Sequence, residues 1–139
     1  AVYGDKSNEY IIKAFQWANK YAPASLELYY NDYNDCVPSK VAGIVELLKA
    51  VKAAEGTRID GMGMQAHHNF LDPTPAQIKS AINMYLEALG EGGTVQMTEL
   101  DVKASSTYDP NNLVAEHNKQ AWRFKEIFDA YKAINKEKS

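Results

Sequence analysis

The stretch Thr94-Val95-Gln96-Met97-Thr98-Glu99-Leu100-Asp101 decides the fold. It is short, rich in β-formers and closed by two carboxylates. Its alternation predicts one strand with Val95, Met97, Glu99 and Asp101 on a single face, because strand side chains point to opposite sides with period two. Immediately before it lies a helix signature. Thr74-Pro75-Ala76-Gln77 is a capping box with proline at the first helical position, and Ile78, Ile82, Leu86 and Leu89 continue as a buried stripe up to Gly90.

The same pairing of helix and strand recurs toward the amino terminus. Ile59 to His67 predicts a strand that places Gly61 and Gly63 on the face of Gln65 and His67. The helix before it runs from about Lys40 to Glu55, with Ser39 after Pro38 as its cap, Val41, Ile44, Val45, Leu48 and Val51 on one face, and Gly56 as the closing glycine. Leu26 to Asn31 reads as another strand and ends in the polar run Asn31-Asp32-Tyr33-Asn34-Asp35. Ile11, Ile12, Phe15, Ala18 and Tyr21 give a first helix over Asn8 to Tyr21, with Asp5 and Ser7 as candidate caps and Pro23 as its stop. After Asp109-Pro110-Asn111 comes a long last helix carrying Val114, Ala121, Trp122, Ile127, Phe128, Tyr131 and Ile134 and ending in a lysine-rich tail. Trp17 and Trp122 both fall within these helix patterns and are expected to pack in the core.

The order αβαβαβα implies an α/β fold of parallel strands joined by right-handed crossovers. Three polar clusters sit at three strand ends: Asn31 to Asn34, Gln65 to His68, and Thr98 to Asp101. In a parallel sheet these ends share one rim, where such folds place their chemistry. Within these clusters His68 is expected to face away from His67, and His117, in the middle of the last helix, to be structural or solvated.

Composition narrows the alternatives. The 139 residues are 45% apolar and 24% charged, which suits a globular chain with a real core. A net charge of −3 with dispersed basic residues offers no cationic face, so neither nucleic acid nor a membrane surface is an expected partner. No apolar run approaches the roughly 20 residues needed to span a bilayer. The single cysteine, Cys36, excludes an internal disulfide and reads as a small apolar residue rather than a reactive thiol.

Three segments, Leu26 to Asn34, Ile59 to His67 and Val95 to Asp101, together with the preceding Ala14-Phe15-Gln16-Trp17-Ala18, resemble consecutive strand motifs of family 10 glycoside hydrolases in order and spacing. The resemblance covers roughly Glu9 to Ile134. It implies part of a (β/α)₈ TIM barrel, about strands 5 to 7 with their flanking helices, as a single segment of the catalytic domain incomplete at both ends. It also implies a retaining endo-β-1,4-xylanase with Glu99 as nucleophile, His67 and Asp101 in support, and Gln65, Tyr33 and Asn34 binding substrate. The implied partner is xylan or a xylo-oligosaccharide, with no cofactor and no metal, and export from the cell follows from the size of that polymer.

A retaining glycosidase needs a second carboxyl about 5 to 5.5 Å from the first. Asn8-Glu9 imitates the family's Asn-Glu acid/base pair, but Glu9 falls in the first turn of the first helix, so the acid/base residue is expected upstream of Ala1. A full barrel takes about 250 residues, and three strands leave edges open. The chain is therefore expected to be inactive alone and to meet the rest of the barrel or copies of itself. Two other functions fit the same residues: a non-catalytic carbohydrate-binding or structural fragment, and a metal-dependent hydrolase that uses His67, Glu99 and Asp101.

Overall fold

The computed structural model describes residues 8–104 and 107–137, without the side chains of 135–137. Asp5 and Ser7 lie outside the described residues, as do Lys138 and Ser139 at the end of the lysine-rich tail. The elements run α1 (Glu9–Tyr21), β1 (Tyr29–Asp32), α2 (Pro38–Ala53), β2 (Gly61–Met64), β3 (His67–Asn69), α3 (Pro75–Leu89), β4 (Thr94–Met97), β5 (Asp101–Lys103) and α4 (Leu113–Glu137). β1, β2 and β4 form one parallel sheet in that order, and β3 and β5 form a second parallel pair.

Two of the expected strands are thus each broken in two. The break after β2 falls at Ala66, which adopts the left-handed conformation at φ 58°. A residue with a Cβ rarely does so, and here the turn is held by Asp35, whose Oδ2 accepts the Ala66 N–H at 2.8 Å. The break after β4 covers Thr98 to Leu100, and it overturns the expected facial alternation. Val95 and Met97 pack on the helix side with the main core, whereas Glu99 turns to the opposite, open side beside Asn31.

One face of the sheet is buried by helices. Met62, Met64 and Val95 meet Leu48 from α2, Ile78, Ile82 and Tyr85 from α3, and Ile127 from α4. Each such side chain contributes about 1.5–3 kcal/mol when fully buried. Phe15 of α1 joins Leu28, Leu47 and Val51 in a second cluster. The other face of the sheet is polar and open: Asn31, Thr94, Gln96 and Thr98 are exposed, and Tyr29 bonds to Thr94 and Gln96 across it. Parallel sheets are normally covered on both faces, so this face has the character of a barrel interior left uncovered.

The glycines of β2 let its neighbours close in on that face. A Cβ at Gly61 would lie 2.8 Å from the Thr94 carbonyl oxygen, and one at Gly63 would lie 2.7 Å from Asn31 Oδ1.

Helix boundaries follow local chemistry. α3 starts with the expected reciprocal capping box between Thr74 and Gln77. α2 starts earlier than expected, with Val37 as cap and Pro38 in the first turn, where its missing N–H costs nothing; Ser39 makes no cap.

The stripe of α4 differs from the apolar pattern. Glu116, Arg123, Ile127, Ala130 and Ile134 are the buried positions, while Val114, Trp122 and Phe128 are exposed. Arg123 can occupy the stripe because its guanidinium donates to the carbonyls of Asn69 and Pro73, and Glu116 because it pairs with Lys119. Buried polar groups with partners thereby rotate the helix away from its hydrophobic phase. Trp122 is 66% exposed and Trp17 67%, so neither packs in a core as the helix patterns suggested.

Candidate active site

At the rim, two carboxylates meet one imidazole. His67 and Asp101 are register partners in the β3–β5 ladder, which sets Nδ1 of His67 3.0 Å from Asp101 Oδ2. The other ring nitrogen, Nε2, lies 3.4 Å from Glu99 Oε2. The Asp101 hydrogen bond raises the His67 pKa above its ordinary value; desolvation opposes this, and the negative charges of Asp101 and Glu99 add to it. The Nδ1–H donated to Asp101 fixes the plane of the ring, and the protonated imidazole that the raised pKa favours directs its Nε2–H at Glu99.

Asn31, at the end of β1, carries the remaining contact to this carboxylate. Its Nδ2 donates to Glu99 Oε1 at 3.1 Å, while Thr98 Oγ1 donates to its Oδ1 at 2.9 Å and so orients the amide. Sequence reading placed Asn31 in a polar strand end and gave it no role. The available signal was its position opposite Gly63, the small residue that leaves room for it.

Gln65 directly follows β2, half-buried, with its N–H donating to the Asp32 carbonyl at 3.0 Å. Tyr33 and Asn34 lie on the loop after β1. Tyr33 is 55% exposed, and the Lys40 ammonium sits 4.9 Å from its ring centroid. Asn34 is left-handed at φ 53° and, with His67, borders a pocket of about 230 Å³. Glu99, His67 and Asp101 are therefore in direct contact, and Gln65, Tyr33 and Asn34 flank them on adjoining strand ends.

His68 points the other way, buried beneath the rim. Cys36 is also buried, and desolvation, reinforced by Asp35, pushes its pKa up, so without a bound cation the thiol keeps its proton. Glu9 stands in the first turn of α1 and pairs with Lys13 at 2.9 Å; that pairing lowers its pKa, the opposite of what a proton-donating acid requires. A shared metal fits the rim trio poorly. Glu99 and Asp101 address opposite nitrogens of the His67 ring, and a cation bonded to one nitrogen would lie on the far side from the other carboxylate.

Parallel strands with helices on one face and carboxylates gathered at their carboxyl ends are the features of an α/β-barrel fold. The profile of Glycosyl hydrolase family 10 matches residues 1–139. The chain belongs to that family and forms part of its (β/α)₈ barrel fold, with parallel strands and no closed barrel.

Among its relatives is an endo-1,4-beta-xylanase of Geobacillus stearothermophilus, 36% identical over 132 residues, which cover 90% of this chain and 38% of the relative. The family 10 structure from Paenibacillus barcinonensis superposes with a TM-score of 0.80 at 30% identity, over 99% of this chain and 39% of that one. A xylanase 10C variant from Cellvibrio japonicus in complex with xylopentaose superposes at 0.76 with 33% identity, over 91% and 26%. The chain thus spans two-fifths or less of the length of these relatives.

Proposed function

We propose that this chain supplies the nucleophile half of an endo-β-1,4-xylanase active site, with Glu99 attacking the anomeric carbon of a xylosyl unit. The observation that carries the reading is the double restraint on Glu99: His67 Nε2 faces one carboxylate oxygen and the Asn31 amide donates to the other. A nucleophile held from both sides meets the positional demand of in-line attack. The xylosyl–enzyme ester that forms is then opened by water, with net retention.

In this scheme His67 and Asp101 act as positioning residues. Asp101 accepts the Nδ1–H and fixes the ring, and the protonated imidazole presents its Nε2–H to Glu99. Gln65 and Asn34 offer hydrogen bonds to sugar hydroxyls, and the exposed face of Tyr33 offers a platform for a sugar ring. The xylopentaose-bound relative supports an oligosaccharide of β-1,4-linked xylose as ligand. The general acid/base carboxyl is assigned to another part of the complete barrel.

The test is xylan hydrolysis by the 139-residue chain alone, by the chain mixed with a polypeptide carrying the remaining strands, and by the same mixture with Glu99→Gln. Activity confined to the mixture and lost with the substitution is expected. A covalent adduct on Glu99 after treating the mixture with an activated 2-fluoro-xyloside would identify the nucleophile directly. Binding of xylo-oligosaccharides without turnover or adduct would replace this reading with that of a carbohydrate-binding fragment.

A further inference from the structure

Beneath the rim, on the side away from Glu99, lies a group of side chains that the proposed xylosidic chemistry does not use. Asp35, Cys36 and His68 are 2%, 6% and 5% exposed, and each brings one ligand atom within 4.8 Å of those of the other two. His68 Nε2 is fully buried and has no hydrogen-bond partner among the described residues. An orphaned imidazole nitrogen in a protein interior carries a desolvation cost that some ligand would relieve. All three residues border the pocket of about 230 Å³ that also reaches His67, so the group has a route to solvent.

The geometry points to a binding site for a single borderline-soft divalent cation of the zinc type, ligated by the Asp35 carboxylate, the Cys36 sulfur and a ring nitrogen of His68. One oxygen, one sulfur and one nitrogen donor form the set that Zn²⁺ and Co²⁺ accept in tetrahedral sites, with a water from the pocket as fourth ligand. Bond lengths of about 2.0–2.3 Å to each ligand put neighbouring donor atoms roughly 3.5 Å apart, against the present limit of 4.8 Å, so the widest pair closes in by somewhat more than an ångström.

The surroundings suit that role. The Cys36 thiol now donates to Asp35 Oδ1 at 3.3 Å, and the cation would replace that proton: a metal–sulfur bond forms, the S–H bond breaks and the proton leaves to solvent. Asp35 is already fixed by the Ala66 N–H on Oδ2 and by the Tyr85 hydroxyl on its carbonyl oxygen at 2.6 Å, the kind of outer support that orients metal ligands. Burial lowers the His68 pKa and favours its neutral, ligating form. Asp72 and Asp101 add negative charge nearby, and the opposing cation, Arg123, is engaged by the Asn69 and Pro73 carbonyls and by Glu126.

A cation here would pin the loop after β1 to β3. That loop carries Tyr33 and Asn34, and β3 carries His67, so the site would lock two parts of the rim together from below.

The experiment is titration of the metal-free chain with Co²⁺ alone, followed by ultraviolet–visible absorption. The expected result is one equivalent bound, with a sulfur-to-cobalt charge-transfer band and visible bands of tetrahedral intensity, displaced by one equivalent of Zn²⁺. The sequence has one cysteine, so a sulfur band in the unsubstituted chain assigns Cys36 by itself. Paramagnetic displacement of the His68 ring resonances, with His67 much less affected, assigns the second ligand without any substitution. Cys36→Ala and His68→Phe should each abolish the band, and His67→Asn should leave it intact. Absence of the sulfur band, or cobalt binding that survives both Cys36→Ala and His68→Phe, would overturn the proposal.

Discussion

His67 and Asp101 face each other as register partners of a two-stranded parallel ladder, 3.0 Å apart between Nδ1 and Oδ2, although 34 residues separate them in the chain. Neither residue alone determines the geometry at Glu99; the ladder does, by bringing the carboxylate to one ring edge and leaving the other edge for the nucleophile candidate.

Asp101→Asn should therefore lower the His67 pKa, since the leading cause of its elevation is the hydrogen bond to Asp101. Because the folded pKa lies above the ordinary value of 6.5, the contact stabilises the fold below that value and ceases to do so as pH rises through the folded pKa. Asp101→Asn should narrow that dependence. An NMR titration of the His67 ring resonances checks it, and an unchanged midpoint would mean that Asp101 does not hold the ring.

Asp32 works in the opposite direction. Burial opposes its ionisation, but the Tyr30 hydroxyl, the Lys40 ammonium at 2.9 Å and the Tyr33 N–H together outweigh that and hold its pKa below 3.8. Its contribution to stability is present above that value and is lost as pH falls through the folded pKa. The variant Asp32→Asn should be less stable at neutral pH and show a flatter acid limb in urea-denaturation midpoints measured from pH 7 downward.

Gly63 and Gly43 make a contrasting pair. An added methyl at Gly63 meets Asn31 Oδ1 at 2.7 Å and Thr98 Cγ2 at 3.1 Å, so Gly63→Ala should cost about 1–3 kcal/mol and displace the amide from Glu99. Gly43 lies within α2 with nothing among the described residues within 4 Å of its would-be Cβ, so Gly43→Ala should stabilise by about 0.5–1 kcal/mol. Equilibrium unfolding of both variants checks the signs, and equal effects would contradict the packing described here.

Tyr85 is fully buried, and its hydroxyl donates to the Asp35 carbonyl at 2.6 Å. Tyr85→Phe keeps the ring and removes the donor, leaving a buried acceptor unpaired at a cost of about 1–3 kcal/mol. Denaturant unfolding measures it; a loss below a few tenths of a kcal/mol would show that the carbonyl finds another partner.

Much of the architecture was legible in the sequence. The apolar spacing of Ile78, Ile82 and Leu89 determined a helix, the Thr74–Gln77 box determined where it starts, and the alternation of helix and strand determined parallel strands with polar carboxyl ends. These are local properties, set by periodicity and by capping chemistry within a few residues. The phase of α4 was not legible, because Arg123 and Glu116 sit in its buried stripe by virtue of partners, and the carbonyls that hold Arg123 lie some 50 residues away. The strand breaks were equally hidden. Ala66 adopts φ 58° because Asp35, 31 residues earlier, accepts its N–H, and Glu99 turns to the open side at a bend that alternation cannot reveal. The sequence by itself determined which residues stand at the strand ends. Only the tertiary structure decided which of them touch, because long-range hydrogen bonds and strand register, rather than local propensity, set those last few ångströms.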